Sequence, residues 1–99
     1  MTCVNDIAEK VRTKNAGPFW LTVDIFCGSA EAFDIISGRL ATVSVARSFG
    51  LPLDQVKRFD IRELRVVKFS VPRPSVQGTV ADRDMHGASY AFIVGCLEV

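Results

Sequence analysis

The sequence predicts an α+β domain, a two-layer sandwich with helices packed on one face of a mainly antiparallel sheet. Three observations carry this. Apolar residues alternate with period two over Phe19–Cys27 and again over Val66–Val71, as in strands with one buried face. Between those runs, the stretch from Ser29 to Phe49 holds apolar residues at helical spacing and is closed by Gly50. The resulting order, αβααβββ, lacks the strict alternation of a parallel α/β sheet. A chain of 99 residues reads as one domain, 1–99. It is long enough to bury roughly two-thirds of its unfolded surface without metal or disulfide staples.

Taken in order, Asp6-Ile7-Ala8-Glu9 fits a capping box opening a short helix, with Ile7 and Val11 on one face and its end near Arg12. Asn15-Ala16-Gly17-Pro18 is a turn, Pro18 driving Gly17 out of the α region. In the strand that follows, Phe19, Leu21, Val23, Ile25 and Cys27 point to the core, and Trp20, Thr22, Asp24 and Phe26 point the other way. So apolar a strand belongs inside the sheet, because an exposed edge would aggregate. Ser29 caps a helix carrying Phe33, Ile36 and Leu40, with Gly38 as its weak point. Thr42–Phe49 forms a second helix, and Leu51-Pro52-Leu53-Asp54 a connector of one helical turn. Val56–Ile61 and Val66–Val71 are strands joined through Arg62-Glu63-Leu64, with Val67, Phe69 and Val71 inward and Lys68 and Ser70 outward. Pro72-Arg73-Pro74 ends the second of these, and Ser75–Gly87 is a long loop. Ala88–Val99 reads as a final strand, apolar on both faces, hence central or at an interface.

Composition narrows the function classes. A hydrophobic content of 48% leaves apolar surface for a subunit interface, so a homo-oligomer or a protein partner is expected. Twelve basic and eleven acidic residues give a net charge of +1, with no Lys/Arg run, so no nucleic acid is expected. The start MTCVNDIAEK has no apolar core of a signal peptide and no run approaches a membrane span. Cys3, Cys27 and Cys96 are an odd set without ligand-like spacing, which suits unpaired thiols in a reduced, cytoplasmic protein.

Candidate sites begin at the turn. Backbone N–H groups of Asn15, Ala16 and Gly17, flanked by Arg12 and Lys14, form a potential nest for a carboxylate or phosphate. The alternative is that these residues only shape the turn. Asp24 in mid-strand needs a partner, and Lys68, also in mid-strand, supplies one if the two strands neighbour each other with matched faces. That pair is either structural or part of a site in which Asp24 is a base or orients a ligand. About five strand residues, roughly 17 Å, separate the turn from Asp24. Two adjacent subsites are therefore expected, with Arg73 long enough to help bridge them. Asp82, Asp84 and His86 alternate and would suit a divalent cation. Asp residues in a polar loop more commonly serve turns, so no metal and no cofactor are expected. There is no P-loop, GxGxxG or GxSxG.

Three segments, RTKNAGPFWLTVDIF (Arg12–Phe26), VPRP (Val71–Pro74) and DRDMHGA (Asp82–Ala88), resemble the signature segments of a small family, domain of unknown function 4387. Its members accompany the large acyclic terpene utilisation (AtuA-type) proteins. The resemblance spans nearly the whole chain and carries over Arg12, Lys14, Asn15, Gly17, Pro18, Thr22, Asp24, Lys68, Arg73, Asp82, Asp84 and Gly87. It departs from the family near Gly87, where His86 replaces an aromatic residue and Ser89, Tyr90 and Ala91 stand where a Gln and a His are usual. It implies a ferredoxin-like sheet and an accessory or binding module, a subunit of a larger enzyme of carboxylic acid or acyl-CoA catabolism, with an AtuA-type partner. The alternative is a small isomerase or hydro-lyase. In that enzyme Arg12, Lys14 and Arg73 hold an organic acid or its CoA ester, and Asp24 or Asp84 moves a proton.

Overall fold

In the computed structural model, which describes residues 2–17, 19–72 and 93–99, four antiparallel strands form one sheet in the order β1-β2-β4-β3. They are β1 (Lys10–Asn15), β2 (Trp20–Phe26), β3 (Lys57–Ile61) and β4 (Val66–Pro72). Helices α1 (Val4–Ile7), α2 (Ala30–Arg39) and α3 (Thr42–Phe49) complete the α+β fold. As its composition requires, β2 is internal, paired with β1 on one side and β4 on the other. Its inward residues Leu21, Val23 and Ile25 meet Val67, Phe69 and Val71 of β4, all fully buried. Phe33, Ile36 and Leu40, with Val45 and Ala46 of α3, close the core from the helical layer. Each large side chain buried this way stabilises the fold by about 1.5–3 kcal/mol.

Local chemistry sets the helix ends. The Ala32 N–H donates to Ser29 Oγ at 3.1 Å, the cap expected of Ser29. Gly38 does not break α2, which continues to Arg39 because Ile36 and Leu40 on either side are buried. At the end of α3, Gly50 adopts φ +69, donating to Ala46 and Arg47, while the Leu51 N–H returns to Ala46 O at 2.9 Å. That is a Schellman closure, and it needs a residue comfortable in the left-handed region. Arg58 ties the corner between the helices to β3. Its guanidinium donates to Ser37 O at 2.9 Å, to Leu40 O and to Thr42 Oγ1 at 3.2 Å, and pairs with Asp60 at 2.8 Å.

Four expectations are corrected. The first helix is one turn, Val4–Ile7, with Asp6 inside it and the Cys3 N–H donating to Asp6 Oδ2 at 2.8 Å. The segment expected to finish that helix is instead β1, in which half-buried Val11, Thr13 and Asn15 alternate with exposed Lys10, Arg12 and Lys14. Period two and a six-residue ladder on β2 outweigh a weak helical face. The turn then becomes a hairpin connection, closed by the Ala16 N–H on Trp20 O at 3.1 Å. Phe19 consequently falls outside the ladder and is 59% exposed rather than in the core.

The last correction concerns the expected strand Ala88–Val99. Residues 93–95 are helical, and beyond them Glu98 makes one bridge to Cys3. Val94 is fully buried, and Gly95 lies so close to Asn5 that a Cβ there would collide with it. The Val4 N–H donates to Leu97 O and the Val99 N–H to Thr2 O, both at 2.9 Å, so the two ends of the chain hold each other. An apolar run without clear alternation does not separate helix from strand. Residues 88–92 lie outside the described residues, as does the expected loop Ser75–Gly87. The described elements run α-β-β-α-α-β-β, two hairpins joined by a helix pair, rather than the β-α-β-β-α-β order of a ferredoxin-like unit.

Candidate functional site

The helices cover one face of the sheet, and the strand register decides what the other face carries. Cross-strand partners share a face. One row reads Arg12, Asp24, Lys68 and Phe59 across all four strands. The next reads Lys14, Thr22, Ser70 and Lys57, and on the other side comes Lys10, Phe26, Val66 and Ile61. Among the described residues this face thus gathers five cations, Lys10, Arg12, Lys14, Lys57 and Lys68, around one carboxylate, Asp24. A net charge of +1 concealed that segregation. No basic run marks it in the sequence, because the cations come from three strands at every second residue or singly.

Two of these cations lie over aromatic rings. Lys10 Nζ sits 5.1 Å from the centroid of Phe26, and Lys57 Nζ sits 5.6 Å from that of Trp20. Arg12 and Lys14 instead border an open cavity of about 190 Å³ over the β1–β2 pair, lined also by Thr13, Asp24 and Phe26. The Thr22 hydroxyl donates to Lys14 O at 3.4 Å, beside the cavity.

Asp24 is the chemical focus. Its Oδ1 is buried and accepts no hydrogen bond. Lys68 is its cross-strand partner, as the matched faces predict, yet Nζ stays 3.9 Å from Oδ1. That distance permits Coulomb attraction but not a hydrogen bond. The lysine side chain is 38% exposed and the aspartate 16%, so water screens the partner more than the carboxylate. An ion pair of this kind contributes little to stability. An unsatisfied buried acceptor, by contrast, costs about 1–3 kcal/mol.

The structure rearranges the expected subsites. Arg12 and Lys14 are not turn residues; β1 folds back along β2 and sets Arg12 directly opposite Asp24. The cation side chains and Asp24 therefore border one cavity, whereas the backbone of the turn lies at the far end of the hairpin. There the Ala16 N–H is consumed by Trp20 O, Asn15 is paired in register with Leu21, and Gly17 shapes the connection at φ +91. Of the three amides proposed for a nest, that of Ala16 is thus already engaged within the hairpin. Arg73, Asp82, Asp84 and His86 lie outside the described residues. Phe26 was expected on the outward face with Asp24 but not as a site residue, and Thr13 and Lys10 were not singled out, although the spacing of Lys10, Arg12 and Lys14 already carried the signal of a strand face.

The cysteines are free, with Cys27 buried, Cys96 exposed and Cys3 between them. Burial pushes the Cys27 thiol above its ordinary range, the Asp60 carboxylate pushes the same way, and a backbone hydrogen bond at Val67 opposes both. Cys27 is accordingly an unreactive core thiol. No helix among the described residues is long and apolar enough to cross a membrane.

Fold and site together define a small α+β domain with one core-packed sheet face and one cationic face. The chain belongs to the family described as Domain of unknown function (DUF4387), which matches residues 4–95. No curated protein and no solved structure matches it.

Proposed function

We propose that the chain is a small anion-binding module that serves as an accessory subunit of a larger enzyme of carboxylic acid or acyl-CoA catabolism. One observation carries the ligand class: the cavity over the β1–β2 pair is flanked by Arg12 and Lys14 on a face that, among the described residues, gathers five cations and one carboxylate. Arg12 supplies a planar fork suited to a carboxylate, and Lys14 a mobile point charge. At about 190 Å³ the cavity admits the acid end of a ligand and leaves the rest of a CoA ester outside. Exposed Trp20 and Phe59 on the same face supply apolar contact for a protein partner or a second copy. The family resemblance points to an AtuA-type protein as that partner, and the free thiols support a cytoplasmic setting.

Calorimetric titration with succinate tests the ligand class. Binding that weakens about tenfold or more in Arg12→Gln supports it. Equal binding by wild type and variant would remove the site.

A second reading, a small enzyme, is favoured by Asp24, the one carboxylate among the residues lining the cavity. In that reading Asp24 takes a proton from a bound acid. Exchange of the α-hydrogens of succinate in D2O, followed by NMR, would reveal that chemistry. Its absence in wild type leaves Asp24 a binding residue.

A further inference from the structure

We infer that the Arg12–Asp24 cavity takes a small hydroxycarboxylate, whose carboxylate lies against Arg12 and Lys14 and whose hydroxyl donates to Asp24. The inference rests on the anion-binding reading above and goes beyond it by naming the ligand's second group.

Charges of opposite sign line the same small space, because Arg12 and Lys14 face it together with Asp24. A plain carboxylate would satisfy the cations and be repelled by Asp24. A ligand ammonium would satisfy Asp24 and meet the Arg12 guanidinium, the Lys14 ammonium and Lys68 beyond. A neutral donor next to an anion fits all of them. Asp24 also lacks such a donor: Oδ1 is buried without a hydrogen bond, and Lys68 stops at 3.9 Å. An orphaned carboxylate oxygen calls for a partner, and a turn of the carboxylate about χ2 is what would bring it to a hydroxyl in the cavity that Asp24 lines.

Size and walls agree. The cavity of about 190 Å³ falls short of the ~300–1,000 Å³ of larger ligand sites. A four-carbon acid suits it. Phe26, whose ring also carries the Lys10 ammonium 5.1 Å from its centroid, lines the cavity with apolar surface for the carbon chain.

Malate and succinate differ by one hydroxyl and test the idea by calorimetry on the full chain. Wild type is expected to bind one enantiomer of malate about tenfold tighter than succinate, equivalent to ~1.4 kcal/mol. Asp24→Val should bring malate down to the affinity of succinate while leaving succinate unchanged or slightly tighter, with an undiminished melting temperature. Equal affinities in wild type, both weakened by Arg12→Gln, would overturn the hydroxyl assignment and leave the anion site standing. No binding of either acid at millimolar concentration would overturn both. Should Asp24→Val fail to fold, 3-hydroxybutyrate against butyrate on wild type decides by the same criterion, equal affinity again overturning it.

Discussion

Asp24 and Lys14 occupy neighbouring strands on one face, and their substitution should separate stability from binding. Lys14 is exposed on β1, so Lys14→Ala should shift the melting temperature little. It should weaken succinate binding by about 1.5–3 kcal/mol if a charge-assisted bond is lost. Asp24→Asn carries the more pointed expectation. If the Asp24–Lys68 pair is structural, one of the two readings the sequence leaves open, its loss should destabilise. The 3.9 Å separation and the orphaned Oδ1 predict the opposite, a change within about 0.5 kcal/mol or a gain in urea unfolding. A loss above ~2 kcal/mol would reinstate the structural ion pair. Cys27 gives a pH signature. Its folded pKa is raised, chiefly by burial, so the folded state holds the thiol proton more tightly than the unfolded chain. The stability this confers is fully present below the unfolded thiol's pKa of about 8.5 and is lost as the pH rises from there through the folded value. Cys27→Ala should flatten that alkaline decline relative to wild type, and thiol titration of the native protein should find Cys96 first and Cys27 last.

At the scale of elements, Arg58 makes the least local contribution. Helix α2 ends with carbonyls facing the start of α3, and the guanidinium of β3 answers them at Ser37 and Leu40 while Asp60 holds it in place. A cation at a helix C-terminus also meets the negative end of the dipole. Arg58→Ala should therefore lower unfolding free energy by about 1–3 kcal/mol, since it leaves part-buried carbonyls without their donor. Arg58→Lys should recover only part of the loss, because one ammonium cannot span the fork. Chemical denaturation of the three proteins distinguishes this from a generic surface effect, which would leave both variants near wild type.

For the whole molecule, the division of the sheet into a core face and a cationic face governs association. Trp20 and Phe59 remain 40% and 49% exposed among cations, and Phe19 stands out from the hairpin at 59%. Two such faces meeting directly would repel through Lys10, Arg12, Lys14, Lys57 and Lys68, and that repulsion fades as salt screens it. Self-association through this face should accordingly strengthen between 50 mM and 500 mM NaCl in sedimentation equilibrium. A dimer that weakens with salt must use another surface, and a strict monomer at high micromolar concentration in both conditions leaves only a hetero-partner.

The class of fold, the buried run of β2, the cap at Ser29, the end of α3 at Gly50 and the β3–β4 hairpin were legible in sequence, because each depends on periodicity or on a residue's own backbone chemistry. The pairing of Asp24 with Lys68 was legible too, once both faces were matched. What the chain did not disclose locally was β1, whose ladder on β2 overrode a plausible helix, and the anchoring of half-buried Arg58, whose acceptors on the helical layer lie 16 to 21 residues away. The candidate site belongs to the same class. Arg12 and Lys14 lie far along the chain from Lys57 and Lys68, and the balanced total charge hides them. Composition and spacing determined what each segment buries; only the antiparallel register, a long-range property, decided that the outward residues form one cationic face around Asp24.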